Sequence, residues 1–164
     1  METFSNIMVP VDMSDNCMGA LKQAIDMQEG TDASVTVLHV VPKTNESSRA
    51  FDAIYKKDVS RKKLFENYVL PEVEEWIEAL ELDIDWRNRL TVAARVGRPS
   101  EEIVEYASEN GVDLIVMGTH GRTGIKRYWI GSVAERVVRI AQCTVMVVPT
   151  GERANPDVMP EDEE

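Results

Sequence analysis

The chain has 164 residues, 43% hydrophobic and 29% charged, which suits one soluble domain with a substantial core. A net charge of −11 excludes nucleic acid as a main partner, because phosphate backbones need Lys and Arg to neutralise them, so any anion site here has to be local and built mainly from backbone N–H groups. Cys17 and Cys143 lie too far apart for a CxxC motif or a zinc cluster. The first residues carry no basic leader and no apolar stretch reaches membrane length, so the expectation is a cytoplasmic protein with no membrane insertion.

In chain order, Ile7 to Val11 is a short apolar run that reads as a buried strand. Ser14 and Asp15 then supply N-cap chemistry for a helix with Met18, Leu21, Ala24 and Ile25 on one face, and Gly30 ends it. Ser34 to Val41 is β-branched and reads as a second strand stopped by Pro42. A polar loop starts at Lys43. After it Leu64, Tyr68, Val73, Ile77 and Leu80 mark a long helical region, with a kink expected at Pro71.

Leu90 to Val96 reads as a third strand, and Gly97-Arg98-Pro99 opens a helix carrying Ile103, Val104 and Ala107 that ends near Gly111. Leu114 to Met117 is a fourth strand, a glycine-rich stretch runs from Gly118 to Gly131, and a helix with Val133, Val137 and Ile140 follows. Thr144 to Val148 is the last strand. Residues 151–164 are acidic with little apolar content and read as a disordered tail, leaving residues 1–150 as the one domain. Strands that alternate with helices, and that are apolar throughout, predict an α/β doubly wound parallel sheet with helices on both faces.

The segment with chemical content is Met117-Gly118-Thr119-His120-Gly121, followed by Gly131-Ser132-Val133. Glycine at the end of a strand lets a ligand approach the backbone closely, and a helix that begins at Gly131-Ser132 offers free N–H groups and its dipole to a phosphate. By spacing alone, the same glycines also fit a long plain connector. GxxxxGK[ST] does not occur, and no GxGxxG follows the first strand. His120 lacks a neighbouring nucleophile or carboxylate and reads as a hydrogen-bonding loop residue, Arg122, Lys126 and Arg127 as loop cations, and His39 as a packed strand histidine.

The pattern Gly118-x2-Gly121-x9-Gly131-Ser132 resembles the ATP-binding signature of universal stress proteins. Ile7 to Ser14, Leu38-His39-Val40, Gly97-Arg98-Pro99 and Val116-Met117-Gly118 are similar to further motifs of that family, in the same order. The resemblance implies a five-stranded parallel sheet of order 3-2-1-4-5. It also implies ATP as ligand, with Mg or Mn at the phosphates, and a homodimer paired through Thr144 to Val148. On the same footing Pro10, Val11, Val40 and Met117 would line an adenine pocket, while Gly118 would meet the ribose side. Asp12 would face the ribose or a metal, with a helix cap as its alternative role. His120 would lie in the same loop, and Gly121, Gly131, Ser132 and Val133 would hold the phosphates.

Two classes of function follow. A nucleotide-dependent regulator of the stress response needs only the binding site, whereas a hydrolase or phosphotransferase also needs a positioned base and cations on the γ-phosphate. The sequence supplies phosphate donors without an evident base, so regulation is the favoured reading. Slow ATP hydrolysis and the binding of AMP or cyclic AMP are its alternatives.

Overall fold

The computed structural model describes residues 4–42, 65–81, 86–119 and 130–149. Its elements are β1 (Asn6–Val11), α1 (Met18–Gln28), β2 (Ser34–Pro42), α2 (Leu70–Ala79), α3 (Trp86–Arg89), β3 (Leu90–Gly97), α4 (Pro99–Glu109), β4 (Leu114–Gly118), α5 (Ser132–Ile140) and β5 (Thr144–Val148). The five strands form one sheet in the order β3-β2-β1-β4-β5, parallel throughout. The expected architecture and strand order are therefore observed.

Burial follows from this order. β1, β2 and β4 are interior and covered on both faces, so their residues are mostly apolar and buried without alternation, with Thr36 and His39 of β2 the buried polar exceptions, whereas β3 and β5 at the edges are only half-buried along much of their length. One face packs Ile7, Val9, Val35, Val37, Leu114 and Val116 against α1 and α2. The other packs Met8, Leu38, Val40, Ile115 and Met117 against Ile103 and Ala107 of α4 and Ala134 and Val137 of α5.

Three local features depart from the expected boundaries. A 3-10 turn, Asp15–Cys17, precedes α1. The helical region up to Ala79 is continuous but not α-helical throughout. A π-helical turn, Phe65–Val69, leads into α2, and Pro71 sits in the first turn of α2, where its missing N–H costs nothing. Strand β2 also runs through Pro42 instead of stopping before it. The ladder with β1 ends at Val11↔His39 while that with β3 continues to Pro42↔Gly97, so β1 asks nothing of the proline. Leu64, the polar loop from Lys43 and the acidic tail lie outside the described residues.

The sheet is stitched at its amino end. Asp113, just before β4, accepts the backbone N–H groups of Ser5 and Asn6 at 2.8 and 3.1 Å, and the Asn6 side chain donates to Asn110 O at 2.8 Å. Leu114 is fully buried beside this junction. Leu114→Ala should lower stability by about 2–5 kcal/mol, through lost apolar burial and the cavity left behind. Glu105→Ala on the exposed side of α4 should change it by less than about 0.5 kcal/mol. Urea denaturation of the three proteins checks the contrast.

Candidate functional site

At their carboxyl ends the two central strands separate. β1 pairs with β4 only at Ile7↔Leu114 and Met8↔Ile115, although β1 stays paired with β2 to Val11 and β4 stays paired with β5 to Gly118. Pro10 has no N–H to offer, and it stands in an interior strand at a level where only β2 pairs with it. The crevice lies where the strand order reverses, the place where doubly wound sheets bind ligands. Asp12 follows the end of β1 and Thr119 the end of β4, one on each side of the crevice.

Asp12 leaves β1 through a tight turn. Its Oδ1 accepts the Ser14 N–H at 3.1 Å and the Ser14 hydroxyl at 2.5 Å, so the carboxylate closes an Asx-type turn over Met13. Met13 takes φ 60, a left-handed conformation uncommon for a residue with a long side chain. The Cys17 thiol donates to the same Oδ1 at 3.1 Å, and the Asp12 N–H points at Cys17 Sγ at 3.5 Å. Asp12 thus organises the turn that precedes α1, whose opening 3-10 turn takes no side-chain hydrogen bond from its own N-cap, Ser14.

Across the crevice, the chain past β4 is tied at its base. Thr119 N–H donates to Val148 O at 3.1 Å, and Gly131 N–H donates to Thr119 O at 2.6 Å. The second bond fixes the start of α5 beside the end of β4. Gly131 is the N-cap of α5 and its carbonyl accepts Glu135 N–H at 2.9 Å. Ser132, Val133 and Ala134 follow in the first turn, where helix N–H groups have no partner within the helix. Ser132 is exposed, whereas the side chain of Val133 packs on the core, leaving its backbone as the part a ligand would meet.

The other predicted residues divide between the faces. Val40 and Met117 are buried in the same cluster, and Pro10 shares their face by strand alternation. Val11 packs on the opposite face, so its side chain does not join theirs. His39 is buried, and its Nδ1 lies 2.9 Å from Val11 O, where it acts as donor to the carbonyl. Gly118 ends β4, opposite Val148. His120, Gly121, Arg122, Lys126 and Arg127 lie outside the described residues. Among the described residues, no group of three or more His, Cys, Asp or Glu is placed to hold a metal ion. Ser14, Cys17 and Thr119 join the site although sequence reasoning assigns none of them a role in it. Only the Asp-x-Ser spacing at Asp12 carries a readable signal, that of an Asx turn.

With this geometry in hand, the comparison with known proteins is direct. The model of the universal stress protein family matches residues 3–149. The chain belongs to the universal stress protein family. Universal stress protein MJ0531 of Methanocaldococcus jannaschii is 34% identical over 145 residues, 88% of this chain and 82% of that protein. The structure of MJ0577, from the same organism, superposes with a TM-score of 0.69 at 29% identity, covering 92% of this chain and 99% of the other. UspA from Lactobacillus plantarum gives 0.66 at 26% identity, covering 90% and 99%. A universal stress protein crystallised in complex with cAMP shares the fold, with a TM-score of 0.57 at 20% identity and coverage of 90% and 98%. No helix among the described residues of this family member is long and apolar enough to cross a membrane.

The Cys17 thiol gives a test of the Asp12 corner. Burial pushes it up to about 12 from an ordinary 9.0; the Asp12 N–H pulls the other way, and the Asp12 carboxylate adds to the rise. The folded state therefore keeps a proton that the unfolded chain releases above pH 9.0. This stability is complete below that pH and is lost as pH climbs toward about 12. Between pH 9 and 11 the native protein should lose about 2–3 kcal/mol more than Cys17→Ala, as the titrations common to both cancel. Urea denaturation at the two pH values measures the difference.

Proposed function

We propose that this universal stress protein binds ATP in the crevice between β1 and β4 and acts as a nucleotide-dependent regulator, not as a fast enzyme. The observation that carries the reading is the Gly131 N–H···O Thr119 bond of 2.6 Å, which seats the first turn of α5 at the mouth of that crevice. A phosphate held there meets backbone donors and the positive end of a helix dipole, the kind of local site that a chain of net charge −11 needs for an anion. Asp12, just past the end of β1, faces the ribose or a Mg or Mn ion at the phosphates. Val40 and Met117, with Pro10, line the adenine side, and Gly118 gives the ribose close access to the backbone. Gly121 and His120 complete the phosphate loop.

Neutral N–H donors favour holding a phosphate over transferring it, which is the basis for preferring regulation. The cAMP complex of a relative with the same fold motivates a second ligand, and cAMP belongs in the same titrations. The cytoplasm is the proposed location.

The site makes a sharp prediction. Gly131→Val adds a side chain at the N-cap, where its φ of −60 permits any residue, so the backbone should persist while the phosphates are pushed off the first turn. ATP should bind at least tenfold more weakly, about 1.4 kcal/mol, and adenosine should lose much less. Calorimetry with both ligands decides. Equal losses would mean general damage, and unchanged ATP binding would return the loop to a connector.

The edge strand β5 supports a homodimer. Its Val145 to Val148 are only half-buried and β5 ends the sheet, leaving one row of backbone groups for a second copy. Val147→Lys should convert a dimer to a monomer in light scattering at micromolar concentration, and a monomeric native protein would overturn the assignment.

A further inference from the structure

We propose that Cys17 is a positioning residue for the ligand site, its thiol fixing the Asp12 carboxylate in the orientation that receives the ribose hydroxyls. The proposal rests on the nucleotide reading above. Its own evidence is a reciprocal contact. The thiol donates to Asp12 Oδ1 at 3.1 Å while Asp12 N–H points at the same sulfur at 3.5 Å, so one side chain holds both ends of the Asp12 side-chain torsion. Ser14 braces the same oxygen through its N–H at 3.1 Å and its hydroxyl at 2.5 Å. Three donors converge on one carboxylate oxygen, and the residue that must turn for them, Met13, sits at φ 60. Backbone strain of this kind persists only where the surroundings over-determine it, and Cys17, 5% exposed, is the part of those surroundings supplied by α1's opening turn.

The chemistry suits a thiol that stays protonated. A thiolate beside Asp12 would repel the carboxylate and could not donate, whereas burial keeps the proton on sulfur through the physiological range. Oδ1, already accepting three hydrogen bonds, is also poorly disposed to share in bidentate binding of a divalent cation. The clamp thereby favours a neutral hydroxyl donor as the group that Asp12 meets, and the ribose is the part of a nucleotide with that chemistry.

The test titrates ATP and 2′,3′-dideoxy-ATP into the native protein, Cys17→Ala and Cys17→Ser by calorimetry, with thermal melts showing that each variant is folded. Cys17→Ala should weaken ATP about five- to tenfold, the worth of one hydrogen bond. Cys17→Ser, which keeps a donor, should restore ATP affinity to within about twofold, and the dideoxy nucleotide should be insensitive to either change. The infrared S–H stretch of Cys17, obtained by difference from Cys17→Ala, should shift toward that of an unbonded thiol in Asp12→Ala. ATP binding unmoved by Cys17→Ala overturns the proposal alone, as do equal losses for both nucleotides or an S–H stretch that ignores Asp12→Ala. No ATP binding by the native protein overturns the nucleotide reading, and Cys17 as a ligand-positioning residue goes with it.

Discussion

Much of what this molecule can do depends on the separation of β1 from β4. The two strands are held at their amino ends, where Asp113 accepts from Ser5 and Asn6, and they pair at Ile7↔Leu114 and Met8↔Ile115. Beyond that level each follows its outer neighbour. A parallel sheet whose order reverses between two neighbouring strands sends the crossovers on either side to opposite faces, which opens a gap at the strand ends. Pro10 reinforces the separation from within the sequence, since it has no donor with which to continue a ladder toward β4. Fully buried residues on both faces, Val9, Val37, Leu38 and Val116 among them, hold the strands in place on either side of the opening.

The two rims of that opening are built by different means. On the β4 side the chain is fixed by backbone alone, through Thr119 N–H to Val148 O and Gly131 N–H to Thr119 O. On the β1 side it is fixed by side chains, with Ser14 and Cys17 both engaging Asp12. The difference matches what each rim has to offer. A helix N-terminus binds anions through groups every residue possesses, so its placement matters more than its side chains. A single carboxylate acts only if its orientation is set, and that requires partners of particular kinds at particular places.

This division also decides what could be read from the sequence. The strands were legible because interior parallel strands are predominantly apolar, as β1, β2 and β4 are. The glycines at Gly118 and Gly131 were legible because close backbone approach and a helix start both leave a mark on residue type. The short α3, Trp86–Arg89, was not, because four residues are too few to show a helical period. The π turn Phe65–Val69 was invisible for a related reason: its apolar spacing suits an α-helix, and only the following Pro71 hinted at a change. Val11 shows a further limit. The family resemblance placed it with Pro10, Val40 and Met117, yet strand alternation turns its side chain to the opposite face. Cys17 forms no motif with Cys143, and its contact with Asp12 depends on a five-residue return that spacing alone does not reveal.

The balance between holding and transferring a phosphate follows from the same geometry. Arg136 and Arg139 of α5 engage Glu101 at 3.4 Å and Glu135 at 2.7 Å. Arg98 engages Glu101 at 2.9 Å, and Arg95 pairs with Glu109. These exposed pairs contribute little to stability, typically about 0–1 kcal/mol each. Each of these four arginines has a carboxylate partner, with Glu101 shared between Arg98 and Arg136. On the reading proposed above, a phosphate at the start of α5 meets dipoles fixed in the backbone. Such dipoles stabilise the charge already present on a bound nucleotide, while acceleration of phosphoryl transfer requires cations that gain more in the transition state than in the ground state. On the proposed reading, a site of this construction suits sensing a nucleotide and keeping it intact while it is bound.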